Sequence, residues 1–402
     1  MTSRIYDEEW VMSRRNRSHG LGPIRRALKE AGDPQDHLKT IHIAGTNGKG
    51  STTNFLKDIL VSQGYKTGTF TSPHLIHHRD RIRINDVWIT EEEFREYLYR
   101  FMDVILREDL GMFEIDTLIA FAWMRDMHVD YAIMETGLGG RLDNTNVIAH
   151  PELEIITTIG YDHMQILGSK LEQIAFEKAG IIMPYSRCIC GYLKENCKNI
   201  ISRKASREHA SVSFVQKYDS LPGRMFRIFD DVYSCGSDAR YQKANASLAL
   251  YAAWMLGVNI HDQSVKEALS CSLWLGRFET VGEHPHVVLD GAHNDEGIRA
   301  LVNSIPALPE PVITVFSALR DKPGRKMADL LRRNCDHLII TEFENYRADT
   351  KEGLGGEHDE MFSDYHDALK RAYELAGETG SVLITGSLYF ISVVRNELVH
   401  ES

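Results

Sequence analysis

The stretch Ile41-His42-Ile43-Ala44-Gly45-Thr46-Asn47-Gly48-Lys49-Gly50-Ser51-Thr52 joins an apolar strand pattern to a glycine-rich turn, then to Phe55, Leu56, Ile59 and Leu60 at helical spacing. Strand, glycine loop and helix, in that order, make a phosphate cradle. Glycines let backbone N–H groups close on phosphate oxygens, the helix N-terminus adds partial positive charge, and Lys49 can reach the outer phosphates. Gly45, Thr46, Asn47, Gly48, Lys49, Gly50 and Ser51 are therefore the candidate nucleotide contacts. Only Thr46 and Asn47 separate Gly45 from Gly48-Lys49, whereas the common P-loop spaces its first glycine farther from Gly-Lys.

At 402 residues, the chain is long enough for two domains, each with its own apolar interior. Hydrophobic residues at 43% and charged residues at 26% describe an ordinary globular protein. The net charge of −11 argues against nucleic acid or an anionic membrane as a partner, because both select an excess of Lys and Arg. No apolar run has the length of a membrane span, and Met1–Arg17 lacks the apolar centre of a signal peptide, so a cytoplasmic enzyme is expected. The six cysteines are scattered apart from Cys188, Cys190 and Cys197, with no second ligand pair at metal spacing, and are expected to be reduced.

Apolar runs at 131–134, 155–159, 287–289, 312–316, 338–340 and 382–384 suit strands buried on both faces, and helical patterns separate most of them. The fold class expected is α/β: a P-loop-containing parallel-sheet ATPase domain, then a smaller Rossmann-like, doubly wound C-terminal domain. The break falls within Gly276–Pro285, which divides the chain into 1–280 and 281–402. Residues 192–237 are less regular, with alternating pieces such as 211–215, and suggest an antiparallel edge on the first domain.

Glu135 ends a strand pattern and precedes Thr136-Gly137-Leu138-Gly139-Gly140-Arg141-Leu142-Asp143, at the strand end where open α/β sheets bind ligands. It suits a magnesium ligand, the alternative being a helix cap or a surface acid, and the flanking glycines favour the ligand. Asp162 and His163 follow the 155–159 run and reach the same face, with His163 either structural or catalytic. Arg79, Arg81 and Arg83 alternate; on a strand they form either a positive stripe for carboxylates or phosphates, with Arg81 as substrate contact, or a solvated edge. Asp290, ending the 286–289 strand before Gly291-Ala292-His293-Asn294, suits ribose hydroxyls. Lys178, taken on local pattern, is a solvated helix lysine.

Together these segments resemble the folylpolyglutamate synthase and dihydrofolate synthase family of the Mur ligase superfamily. The resemblance runs through the 45–51 loop, Thr71-Ser72-Pro73-His74-Leu75, 135–143, Asp162-His163, Glu177-Lys178-Ala179-Gly180-Ile181, Gly276-Arg277-Phe278-Glu279, 290–294 and Thr385-Gly386-Ser387-Leu388-Tyr389. It also accounts for the shortened loop, which has the family's spacing. The resemblance implies an ATP-dependent ligase that adds L-glutamate to a folate through an acyl phosphate, with dihydropteroate as the other acceptor served by one site. It implies ATP and two Mg2+ ions, with Ser72 and Glu135 on one ion and His163 on the second. Lys49, Lys178 and His163 become the catalytic group, Lys178 as a carbamylated lysine. Asn245, Arg277 and Asp290 match ATP contacts, and His293 shares their motif. Met112, Phe113, Glu114, Ile115 and Leu142 fall where the family contacts its pterin substrate. Partners would be small molecules only, and the chain a monomer. The alternative is a P-loop kinase of small molecules, or a regulatory ATP-binding protein.

Overall fold

The computed structural model describes residues 6–15, 20–356 and 359–400. The chain divides into two compact units, Met1–Tyr218 with Ala244–Ser270, and Asp219–Lys243 with Cys271–Ser402.

The first unit carries an eight-stranded sheet. Its strands are β1 (Thr40–Ala44), β2 (Thr67–Phe70), β3 (Ile82–Ile84), β4 (Val87–Trp88), β5 (Tyr131–Glu135), β6 (Leu153–Ile156), β7 (Arg187–Cys190) and β8 (Ser211–Phe214). They lie in the order β4-β3-β2-β5-β1-β6-β7-β8. From β2 to β8 all neighbours are parallel, and β3 and β4 add a short antiparallel edge. Because β1 is central and fully buried, the glycine loop emerges where chain connections part to either side, the crevice position of doubly wound sheets. One face packs Phe70, Ala132 and Met134 against the helix Met112–Asp126, and the other packs Ala44, Ile156 and Cys190 against the helix Leu171–Ala179.

In the second unit, β9 (Asp219–Ser220), β10 (Met225–Ile228) and β11 (Asp231–Ser234) form a small antiparallel sheet. A six-stranded sheet follows, comprising β12 (Arg277–Glu283), β13 (His286–Asp290), β14 (Val312–Phe316), β15 (His337–Thr341), β16 (Glu360–Phe362) and β17 (Ser381–Thr385). Its order is β12-β13-β17-β14-β15-β16, parallel except for the β12 edge.

Three expectations are corrected. The 211–215 segment is a parallel edge, because β8 follows β7 through the crossover helix Glu195–Arg207. The arginine stripe does not exist as such, since His78–Arg81 is a 3-10 helix and only Arg83 lies on β3. The compact units do not divide at 280. Residues 219–243 and 271–280 count with the second unit, where Arg240 N donates to Ser304 Oγ at 2.9 Å, Ala239 shares a core with Phe278, and β12 pairs along β13.

Candidate active site

At the carboxyl end of β1 the chain turns through Gly45, Thr46, Asn47 and Gly48 into the helix Lys49–Ser62. Two glycines are demanded by space and geometry. A Cβ on Gly45 would stand 1.8 Å from Thr157 Oγ1; one on Gly48, where φ is +83°, would stand 2.4 Å from Asn245 Oδ1. Thr157 and Thr158 lie just past β6, not in a strand, because their side chains and backbone hold the loop. Both hydroxyls donate to Asn47 O, at 2.6 and 3.1 Å, and Thr46 N donates to Thr158 O at 2.8 Å. Thr46 Oγ1 in turn donates to Gly160 O. The loop is thus shaped by its own hydrogen bonds, with Gly50 and Ser51 in the first helical turn behind it.

Two lysines converge on one carbonyl. Lys49 Nζ donates to Gly45 O at 3.2 Å, and Lys178 Nζ donates to the same oxygen at 2.7 Å. Lys178 is only 4% exposed, which overturns the solvated-lysine expectation. Burial, and then the charge of Lys49, push its ammonium down to about 7. Lys49 Nζ also stands 3.7 Å from Glu135 Oε1.

Glu135 is 3% exposed and level with Ile43 of β1, while β2 on its other side leads to Thr71 and half-buried Ser72. His163 has an exposed ring, with Nε2 3.8 Å from Asp162 Oδ1 and a left-handed backbone at φ 48°. Among the described residues no group of three His, Cys, Asp or Glu side chains could hold a metal by itself. One buried carboxylate with a nearby hydroxyl therefore fits a Mg2+ ion that takes its other oxygens from phosphate and water.

The loop from Gly139 to Asn146 closes over the end of the lysine helix. A Cβ on Gly140 would meet the carbonyls of Glu177 and Lys178, each at 2.9 Å. Asn146 Nδ2 donates to Arg141 O and Gly180 O. Asp143, raised by burial, accepts from Leu138 N at 2.7 Å and from Thr145 Oγ1 at 2.6 Å. Because the Thr145 hydroxyl donates to Asp143, His42 Nε2 at 2.8 Å must donate to it, and burial keeps that imidazole neutral, at about 3. Leu142 stands 58% exposed beside this buried chain.

Met112 and Phe113 keep some exposed surface, and Phe113 lies against Gly137, where a Cβ would come within 2.6 Å of its ring. Glu114 and Ile115 do not join them. Glu114 Oε2 accepts from Gly111 N at 2.7 Å as a helix cap, and Ile115 is fully buried in the core. Arg81 is 5% exposed and donates to His74 Nδ1 at 3.2 Å.

In the second unit Asp290 is buried and its oxygens are already engaged. Oδ2 accepts from Tyr241 OH at 2.5 Å and Phe278 N at 3.0 Å, and Oδ1 from Ala292 N at 2.9 Å. This differs from a carboxylate open to ribose hydroxyls: what Asp290 holds is the turn that presents Arg277, whose Nη1 donates to Gly276 O. His293 Nδ1 stands 2.8 Å from Gly291 O, so that nitrogen donates. Sequence reasoning missed Thr157, Thr158 and His42; the Thr-Thr pair after the 155–156 apolar run was the available signal, and His42 gave none.

The Mur ligase middle domain matches residues 43–226, and the Mur ligase glutamate ligase domain matches residues 276–388. The dihydrofolate synthase/folylpolyglutamate synthase of Bacillus subtilis (strain 168) is 36% identical over 94% of this chain and 95% of its own. The structure of Mycobacterium tuberculosis folylpolyglutamate synthase complexed with ADP superposes with a TM-score of 0.88, at 26% identity over 97% of both chains. That of the bifunctional folylpolyglutamate synthase/dihydrofolate synthase of Yersinia pestis with AMPPNP and Mn ion gives 0.87, at 27% identity over 95% and 94%. With its shortened glycine loop, buried lysine and two sheets in this order, the chain belongs to the dihydrofolate synthase/folylpolyglutamate synthase family of Mur ligases.

Proposed function

We propose that this chain is an ATP-dependent ligase that joins L-glutamate to a folate, and to dihydropteroate, through an acyl phosphate. The observation that carries the proposal is the glycine loop with Lys49, Lys178 and Glu135 gathered at the end of β1 and β5. Backbone N–H groups of residues 46–51 and the helix N-terminus hold the phosphates of ATP, and Lys49 neutralises their charge. Asn245 braces the loop at Gly48. Glu135 and Ser72 would hold one divalent cation and His163 a second, which when bound offset charge on the transferred phosphoryl group.

The substrate carboxylate oxygen attacks the γ-phosphorus, and the bond to ADP breaks. The glutamate amine then attacks the acyl carbon, phosphate leaves and the amine loses a proton. No protein nucleophile takes part. Phe113, beside Gly137, and Leu142 offer apolar surface to a pterin ring. Lys178, with half its population uncharged near pH 7, can react with carbon dioxide, giving a carbamate and releasing a proton; this turns a cation beside Gly45 O into an anion. Arg277 and His293, in the second unit, lie in the motifs that the family resemblance links to ATP. The chain acts as a cytoplasmic monomer on small molecules, a reading supported by its six free cysteines and net charge of −11. No described helix is long and apolar enough to cross a membrane.

The test is incubation with ATP, Mg2+ and labelled glutamate, with dihydropteroate or tetrahydrofolate as acceptor. Label in an amide product with matching release of ADP and phosphate is expected. No incorporation with either acceptor sinks the ligase, and a phosphorylated acceptor without amide identifies a kinase instead.

A further inference from the structure

The helix Met112–Asp126 carries Asp116, fully buried, on the same helix as core residues Ile115, Leu118 and Ile119. A buried charge is costly unless it is paired. Its partners come from the segment that follows β2. His78 Nε2 lies 2.8 Å from Asp116 Oδ1, and Arg81 Nε lies 3.8 Å from Asp116 Oδ2. The second distance is an ion pair too long for a hydrogen bond, and the buried Arg81 Nε has no hydrogen-bond partner among the described residues. Among the described residues, the guanidinium's hydrogen bond runs from Nη2 to His74 Nδ1. Arginine carries several N–H donors in a rigid fork, so this buried cation holds donors in reserve.

The segment around it is tied down. Thr71 N donates to Arg81 O at 2.9 Å, while Asp80 Oδ2 accepts from Leu75 N and Ile76 N, each at 2.8 Å. Arg81 is thereby level with Thr71, at the strand end that leads to Ser72. One turn before Asp116 on the same helix, Phe113 packs on Phe70 and against Gly137, the loop that follows Glu135. Backbone pairing thus sets Arg81 beside the strand end that leads to Ser72, where the ligase reading puts activation of the acceptor carboxylate.

We propose that Asp116 is a positioning residue that aims the Arg81 guanidinium at a carboxylate of the folate-type acceptor, and so sets affinity for that substrate and not for ATP. This rests on the ligase reading above. Asp116→Asn keeps the shape and an acceptor for His78 but removes the charge facing Arg81. In steady-state kinetics, D116N raises KM for the acceptor roughly tenfold, as expected for losing one charge-assisted contact. KM for ATP stays at its wild-type value, while the melting temperature falls because Arg81 loses its buried counter-charge. In an Arg81→Gln background, D116N has no further effect on acceptor KM. An unchanged acceptor KM in folded D116N, or the same rise in the R81Q background, overturns the proposal. If D116N does not fold, Arg81→Lys carries the test, since a point ammonium cannot reproduce the fork; unchanged acceptor KM there overturns it equally. Wild-type protein that incorporates no glutamate defeats the ligase reading itself, a distinct result.

Discussion

Lys178 Nζ lies 2.7 Å from the carbonyl oxygen of Gly45, the first residue of the phosphate loop. The contact spans most of the first unit in sequence and joins the end of one helix to the turn before another. Replacing Lys178 with Ala should lower kcat by at least about a hundredfold, the scale of removing one preorganised charge from a transition state. The ammonium is depressed to about 7, so its uncharged fraction rises from about a tenth at pH 6 to about nine tenths at pH 8. Bicarbonate added to carbon-dioxide-depleted enzyme should therefore restore activity more fully at pH 8 than at pH 6. Activity indifferent to bicarbonate at both values would exclude the carbamate.

Gly45→Ala tests the shape of the loop. The new methyl would sit 1.8 Å from Thr157 Oγ1, whose bond to Asn47 O holds the turn. Overpacking of this kind costs about 1–3 kcal/mol, so KM for ATP should rise by about tenfold or more. Titration of nucleotide binding by calorimetry checks it; wild-type affinity would mean that the loop is not the phosphate site.

Glu154 is fully buried on β6, accepting from Met183 N and Ser186 Oγ, each at 2.7 Å. Burial raises its carboxyl to about 8. Between about 4.5 and 8 the folded state then binds more protons than the unfolded chain, so this group costs stability progressively as pH rises through that window. Glu154→Gln keeps the acceptor for Met183 N, lets its amide donate to Ser186 Oγ while that hydroxyl donates to Met183 O, and removes the titration. Its gain over wild type should be near zero at pH 4.5 and on the order of a few kcal/mol at pH 8.5, read from urea midpoints. A difference that does not change with pH counts against the assignment.

Asp290→Ala leaves Tyr241 OH, Phe278 N and Ala292 N without their acceptor. Stranding buried donors costs about 1–3 kcal/mol each, so the second unit should lose roughly 3 kcal/mol or more. Differential scanning calorimetry should show a lower transition with Asp290→Ala, whereas Asp290→Asn should retain part of the loss. An unchanged transition would free Asp290 to meet a ligand directly.

Much of the fold could be read locally. The apolar runs at 131–134, 287–289, 312–316, 338–340 and 382–384 all became strands, because a strand buried on both faces has to be apolar throughout. Short or edge elements escaped. β12 and β16 are polar or half-exposed, and β8 could not be oriented, since direction depends on the crossover and not on alternation. Arg79, Arg81 and Arg83 misled because period-two spacing says nothing once the backbone is a 3-10 turn.

The sequence by itself determined the chemistry on offer: a glycine loop with Lys49, an acid ending β5, and the family to which their spacing belongs. Those are properties of neighbours along the chain, where backbone geometry and residue type suffice. Only the tertiary structure decided that Lys178 is buried on Gly45 O, that Thr157 and Thr158 shape the loop, and that Asp290 is occupied by Tyr241, Phe278 and Ala292. Burial and partner choice arise from segments brought together by the sheet, and these set the charge each group carries.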